Sequence, residues 1–433
     1  MFQTLPKDGG LSSLGTIPDD WEIVTFKDVC EVRQGLQIAI SKRYKNYKNG
    51  RFVYITIEYL NNLNNQNLLE YIDSPGARVI CKHNDVLVAR TGATGKIITG
   101  VEGVFHNNFF LVDYNRKEVD INYLVHYLKF EPVQKEIKFR AGTTTIPDLN
   151  HGDFYSLTFI KPKIPEQQKI AEILDAIDKA IALTDTHITK LKKAKAGLLH
   201  DLLTRGIDDH GELRDYTRNP ELFKRSALGI IPKDWDVSSV TFEFDIISGF
   251  TLGEHRRPLN KKRKYLRVAN VKRENIILDD IAEIEANDDE FVARQLEEND
   301  LLIVEGHADP NEIGRCAIVS DEAVGLTFQN HLFRLRSKVI NPKFALFWLN
   351  SAWVRSYWKC LCGTSSGLNT INQTMLNALL VLVPNKKEQI DIVERIETYK
   401  ERIIKKETYL KKLKLLKKGL MSDLLTGRVR VKI

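Results

Sequence analysis

Apolar residues recur at alternating spacings of four and three along two long stretches of this chain. In the first, from Pro162 to Thr204, the seam reads Ile170, Leu174, Ile177, Ile181, Thr184, Ile188, Leu191, Lys195, Leu198 and Leu202. In the second, from Pro384 to Thr426, it reads Ile392, Ile396, Tyr399, Ile403, Lys406, Leu410, Leu413, Lys417, Leu420 and Leu424. Such spacing, held over more than four heptads, predicts a coiled-coil helix in each place. The stretches align without a gap at a displacement of 222, and seventeen of 43 positions are identical, among them Pro162/Pro384, Glu166/Glu388, Gln167/Gln389 and Lys195/Lys417. This is an internal repeat. The polar interruptions also match, Thr184 with Lys406 and Lys195 with Lys417. Polar seam residues fix register at a cost in stability, so each helix is expected to have a defined partner, most economically the other copy. At about 1.5 Å per residue a helix from Glu166 to Leu203 is roughly 57 Å long, which suits a spacer better than a core helix.

The repeat extends well upstream of the helices. LGTIPDDWEIVTFKDVCEVRQGL from Leu14 aligns with LGIIPKDWDVSSVTFEFDIISGF from Leu228, so that Ile17-Pro18, Asp20-Trp21 and Gly35 match Ile231-Pro232, Asp234-Trp235 and Gly249. Apolar, β-branched runs follow, at Phe52 to Ile57, Asn84 to Arg90 and Asn299 to Glu305, with turns at Gly92, Gly95 and Gly314; they predict strands of a mixed sheet or barrel. Each half then carries a short motif, VFHNNFFLV (Val104 to Val112) against TFQNHLFRL (Thr327 to Leu335), and helical stretches at Ile121 to Phe130 or Pro342 to Trp358. A glycine-hydroxyl loop and a last apolar strand complete it. The first 13 residues read as a flexible tail. The expected fold is α+β: globular domains over 14–161 and 228–383, long helices over 162–205 and 384–427, and a polar linker over 206–227. An approximate two-fold would relate the halves, with the helices as an antiparallel coiled coil separating the domains. A parallel pair would require the 22-residue linker to run back along the whole helix, just within reach at about 3.3 Å per residue.

A chain of 433 residues, 43% hydrophobic and 28% charged, has room for two or three ordinary cores. No run approaches about 18 uncharged apolar residues, so no membrane span is expected. MFQTLPKDGG lacks the basic start and apolar stretch of a secretory signal, which points to the cytoplasm. Cys30, Cys81, Cys316, Cys360 and Cys362 lack zinc-finger spacing and read as free thiols. The net charge of +7 is compatible with a polyanionic partner.

No catalytic constellation stands out. There is no NPPY-like adenine-methylation motif and no G-x-G-x-x-G loop. ARTGATGKI (Ala89 to Ile97) has two residues between its glycines where a phosphate loop needs four, and reads as a tight turn. Asp300 with Glu305-Gly-His307 faintly resembles a nuclease core but has histidine in place of the expected lysine. Binding remains. A basic segment follows Gly35 and Gly249 in turn: Lys42, Arg43, Lys45, Lys48 and Arg51, interleaved with Tyr44 and Tyr47, and then Arg256, Arg257, Lys261, Lys262, Arg263, Lys264 and Arg267. Lys and Arg neutralise phosphates and release counterions, and Arg can read base edges. Arg90 is counted with them, as are the hydroxyls Thr143, Thr144, Thr145 and Thr364, Ser365, Ser366, suited to phosphates. The plainer readings are solvated loops and ordinary turns.

IP-x-x-W opening each half, and IPEQQKIAEILDAID leading into a helix that ends GLLHDLLT or GLMSDLLTG, closely resemble the specificity subunit of type I restriction-modification systems. The resemblance covers nearly the whole chain. It implies a non-catalytic subunit with two target-recognition domains, each reading one half of a split, asymmetric DNA site in the major groove. The helix pair would set the unread gap and dock two modification subunits, which bind S-adenosylmethionine and methylate adenine. Two restriction subunits using ATP and Mg would join for cleavage, with no cofactor on this chain. Departures in the second half, NKKEQI for IPEQQKI and EGHADPNEIGR for ARTGATGK, put in doubt any transfer of individual base contacts. The residues alone leave open a coiled-coil scaffold whose basic domains bind protein or RNA, and a nuclease or methyltransferase fused to its own specificity domain.

Overall fold

The computed structural model describes residues 2–4, 16–61, 69–73, 75–142, 145–362 and 369–433. The chain folds as two compact units, one formed by residues 1–186 with 407–433 and the other by residues 187–406. Each long helix, Ile164–Thr204 and Lys386–Leu425, thus begins in one unit and ends in the other.

In the first unit a four-stranded antiparallel sheet has the order Cys30–Gln34, Phe109–Tyr114, Val86–Ala89, Ile97–Ile98. Val86–Ala89 is buried at every position, as a continuous apolar run in a sheet interior should be. A second sheet places Tyr71–Asp73, Arg51–Ile55, Gly103–Phe105 and Ile80–Cys81 side by side, with Gly103–Phe105 parallel to Arg51–Ile55. Thr158–Lys161 pairs with Glu22–Thr25 just before the long helix.

The second unit repeats this topology. Phe244–Ser248, Leu332–Ser337, Leu301–Val304 and Cys316–Ile318 form the four-stranded sheet in the same order. Lys262–Leu266 lies between Ala282–Glu285 and the parallel strand Thr327–Phe328, and Leu380–Val383 pairs with Asp236–Ser239. The glycine shared by the two halves has a steric reason. A Cβ on Gly35 would stand 2.2 Å from the Phe105 carbonyl oxygen, and one on Gly249 would stand 2.2 Å from that of Phe328. The chain leaves one sheet there and passes against the backbone of the other, with Leu36 N–H bonded to Phe105 O and Phe250 N–H to Phe328 O. Only glycine permits that approach.

The helices pair antiparallel within each unit. In the first, the start of the Ile164–Thr204 helix lies with the end of the Lys386–Leu425 helix, and Lys417 Nζ donates to Asp178 at 2.7 Å. In the second unit the roles are exchanged. Of the apolar seam residues, Ile170, Leu174, Ile177, Ile188, Leu202, Ile392, Ile396, Ile403, Leu413 and Leu424 are buried. Ile181, Leu191, Leu198, Tyr399, Leu410 and Leu420 are half-buried. The heptad reading therefore selects the inward faces.

Each helix start is tied to its domain by the residues that made the repeat visible. Glu166 accepts from Trp21 Nε1 at 2.9 Å and from the Arg430 guanidinium, which also bonds Asp20. Glu388 accepts from Trp235 Nε1 at 2.9 Å and from Arg214, which also bonds Asp234. Both tryptophans and both glutamates are buried. In each unit the arginine follows the end of the other long helix. Gln167 and Gln389, also buried, donate to the carbonyls of Pro162 and Pro384 and accept the N–H of Asp120 and Asn341. Left-handed glycines end the helices, Gly206 at φ +62 and Gly427 at φ +69, turning the chain back onto Trp235 and Trp21.

Two expectations change. Phe2–Thr4 is a strand paired with Thr16–Pro18, so the amino-terminal segment is not simply a tail; residues 5–15 lie outside the described part. The linker over 206–227 is built into the second unit: Ile207 is buried, Arg214 completes the clamp, and Phe223–Ser226 pairs with Gly229–Pro232 as the counterpart of the amino-terminal hairpin. Its polar composition concealed this because its contacts are mostly hydrogen bonds.

Glu388→Ala leaves Trp235 Nε1, the Ile207 N–H and Arg214 without their shared acceptor. We expect a loss of about 3–5 kcal/mol, read by urea unfolding, while the exposed Lys387→Ala stays within about 0.5 kcal/mol. A cost below about 1 kcal/mol for Glu388→Ala would overturn the clamp.

Candidate nucleic-acid interface

The first basic segment leads from the Ile40–Lys42 turn of 3-10 helix to the Arg51–Ile55 strand. Its arginines are engaged within the protein. Arg43 donates to Glu70 and twice to the Ile38 carbonyl and lies over the Tyr54 ring. Arg51 bonds Asp73 at 3.0 Å and stacks 3.4 Å from the centre of the Tyr44 ring. Its lysines face outward. Lys42, Lys45 and Lys48 are exposed, and of these only Lys45 forms an ion pair among the described residues, with Glu70.

The second segment divides in the same way. Arg256 makes a two-bond fork with Glu290 at 2.7 and 2.8 Å over the Phe250 ring. The Arg256 bonds hold the Glu290 carboxyl down to about 2. Arg263 reaches Asp288 and lies over Phe291, Lys261 shares Asp288, and Arg267 bonds Asp280. The Glu285 carboxylate receives the backbone N–H groups of Leu259, Asn260 and Lys261, which shapes the loop. Lys262 and Lys264 stand exposed on the strand, and Arg257 is exposed beside Glu254.

The arrangement is a pair of stiffened loops, with most arginines tied to acidic partners and lysines outside, Arg257 being the exposed exception. Charge-assisted forks and cation–π contacts fix the shape, and the free ammonium groups can meet phosphates. The sequence reading found the basic residues but missed their acidic partners. Glu70 and Asp73 lie 27 and 22 residues from the arginines they bind, Glu290 lies 34 from Arg256, and no local spacing announces them.

Arg90 bonds Asp148 at 2.6 Å beside the Phe110 ring. Thr145 is exposed and lines a cavity of about 520 Å³ with Gly92, Thr94, Lys138 and Ile146. Thr143, Thr144, Thr364, Ser365 and Ser366 lie outside the described residues. Gly92 and Gly95 have φ of +78 and +86, the geometry of a tight turn. Asp300 is buried and bonded to Arg336 and the Glu297 N–H, while Glu305 pairs with His331. Among the described residues no group of three His, Cys, Asp or Glu could hold a metal ion. All five cysteines are free, and burial pushes the Cys30 and Cys81 thiols up to about 12. No helix among the described residues is long and apolar enough to cross a membrane.

Replacing Lys262 and Lys264 together by alanine should lower the slope of log affinity against log salt for DNA by about 2, with thermal stability unchanged; an unaltered slope would count against an outward phosphate surface there. Arg256→Ala should instead free Glu290, whose pKa would rise from about 2 toward the ordinary value near 4.3 in a carboxyl NMR titration. Because Glu290 is held below its unfolded value, the stability it adds is complete above about pH 4.3 and is lost as pH falls toward 2.

Residues 18–193 match the family model described as the type I restriction modification DNA specificity domain. The type I restriction enzyme MjaVIII specificity subunit of Methanocaldococcus jannaschii is 25% identical over 423 residues, 96% of this chain and 94% of that protein. The crystal structure of a type I restriction-modification S subunit from M. genitalium aligns with a TM-score of 0.52 at 15% identity, covering 100% of both chains. A chain from a structural study of complex assembly and conformational transition in the type I R-M system aligns at 0.60 and 16% identity, covering 95% of this chain and 99% of that one. The structural likenesses show the fold, the similarity to curated relatives extends over nearly the whole chain, and the repeated domain and helix agree with both: the chain is similar along its length to the specificity subunits of type I restriction-modification systems.

Proposed function

We propose that each recognition domain reads one half of a bipartite, asymmetric double-stranded DNA site, and that the paired helices set the unread gap between the halves. The observation that carries this reading is the repeated clamp. Trp21, Glu166 and Arg430 in one unit, and Trp235, Glu388 and Arg214 in the other, tie each domain to both long helices through charge-assisted hydrogen bonds to a buried glutamate. A reader fixed to a helix end has its position dictated by helix length. Two domains of one topology but different surfaces recognise different sequences, so the site is non-palindromic.

In this reading the chain is non-catalytic. Its helices dock two modification subunits that carry S-adenosylmethionine and methylate adenine, and two restriction subunits using ATP and Mg join the complex for cleavage. Exposed apolar side chains on the helices, Leu183 and Leu415 in the first unit and Ile404 in the second, support docking there. The protein works in the cytoplasm, where its DNA is.

Deleting Thr184–Lys190 together with Lys406–Lys412 removes one heptad from both helices while keeping the seam in register. At about 1.5 Å per helical residue and 3.4 Å per base pair, the gap should shorten by roughly 3 base pairs. Genome-wide mapping of adenine methylation in the host reads the gap directly. An unchanged gap would sink the ruler, and methylation unaffected by loss of the whole gene would sink the specificity role.

A further inference from the structure

Where the strands of each domain end, the two units share a backbone and differ in side chains. Arg90 N–H donates to Asn108 O and Arg90 O accepts from Leu149 N–H; Glu305 N–H donates to His331 O and Glu305 O accepts from Ile371 N–H. Arg90 and Glu305 therefore occupy one structural position with opposite charge. Asn108 and His331 occupy a second. Gln37 and Thr251, each two residues beyond the close-packed glycine, occupy a third, and the Gln37 amide oxygen accepts from Asn107 Nδ2 at 3.2 Å.

These side chains face outward enough to be met. Gln37, Thr251 and His331 are exposed, and Arg90, Asn108 and Glu305 are half-buried. They are held but not used up. Within the Arg90 guanidinium only Nη2 is engaged among the described residues, by Asp148, and Asn107 keeps a buried amide oxygen with no partner. Glu305 and His331 hold each other at 2.5 Å. The basic loops behave oppositely, since in both domains most of the arginines are tied to acidic partners while lysines such as Lys42, Lys48, Lys262 and Lys264 stand outward, the pattern of a surface that does the same task twice.

We infer that Arg90, Asn108 and Gln37 in the first domain, and Glu305, His331 and Thr251 in the second, are the specificity-determining residues, while the loop lysines grip phosphates without regard to sequence. This rests on the reading of the domains as DNA readers. The chemistry assigns the bases. A guanidinium matches guanine O6 and N7, carboxamides match adenine N6 and N7, and a carboxylate accepts from cytosine N4. The first domain accordingly reads a half-site containing guanine opposite Arg90. The second reads one containing cytosine opposite Glu305.

The test is methylation mapping in the host carrying the full chain, its Arg90→Ala or Glu305→Ala variant, or Lys42→Ala with Lys48→Ala. The expected result is that Arg90→Ala relaxes one base pair in one half of the methylated motif, by about ten- to a hundredfold in discrimination. Glu305→Ala relaxes one in the other half, and the lysine variant lowers methylation without changing the motif. A parent motif retained intact by both single variants overturns the assignment while leaving the DNA-reading function standing. A motif that does not depend on the chain at all removes the function and the assignment together. If Arg90→Ala fails to accumulate, the exposed His331→Ala carries the same measurement, and an unrelaxed motif in it overturns the assignment for the second domain.

Discussion

A buried carboxylate at the start of each long helix is the constraint on which the structure depends. Glu166 and Glu388 sit in apolar surroundings, where an unpaired charge is costly, and each is satisfied by a tryptophan N–H from its domain and an arginine that follows the opposite helix. Removing the glutamate takes the shared acceptor from the buried tryptophan N–H and from the arginine at once, so the joint is centred on the carboxylate. The left-handed glycines belong to it as well: a Cβ on Gly206 would stand 2.3 Å from Glu388 Oε1. Domain, helix start and helix end are thereby fixed at one point in each unit. Such an ionic joint contributes more to unique geometry than to net stability.

The helix seam shows how the repeat has diverged without losing register. In the first unit Lys417 answers Asp178 across the pair. The matching positions in the second unit are Lys195 and Lys400, two like charges. Glu274 resolves the conflict by accepting from Lys195 at 3.2 Å and Lys400 at 3.3 Å. It does so from a loop residue with φ +67, an unfavourable conformation for a side chain with a Cβ. Glu274 N–H bonds Cys316 O, and the sheet holds the loop in place. A contact that is helix to helix in one unit is thus helix to domain to helix in the other.

Features written in local periodicity or in repetition were legible. The heptads picked out the inward faces, since seam residues such as Leu174 and Ile396 are fully buried. The repeat also flagged Trp21, Glu166 and Gln167 without saying what they do. Hydrogen bonds between residues more than a hundred positions apart, such as Trp21 to Glu166, leave no spacing signal. The basic loops were legible as charge but not as structure. Charge counts cannot separate Arg256, forked to Glu290, from Lys262 on the same surface, because the distinction lies in the tertiary position of the acid. The linker misled for a related reason: polar composition matches both solvated chain and a segment held by hydrogen bonds.

That separation explains how one fold can carry two different surfaces. The groups that fix geometry are buried and repeated: the tryptophan, the glutamate, the glutamine and the glycine against the carbonyl. The groups at the strand ends are held by backbone hydrogen bonds, which do not depend on the side chain, so the same backbone carries arginine in one domain and glutamate in the other. The loop lysines need only be outside and charged. Changes in these side chains are therefore decoupled from the clamp that fixes each domain on the helices, and a surface can be altered on one domain without disturbing the joint.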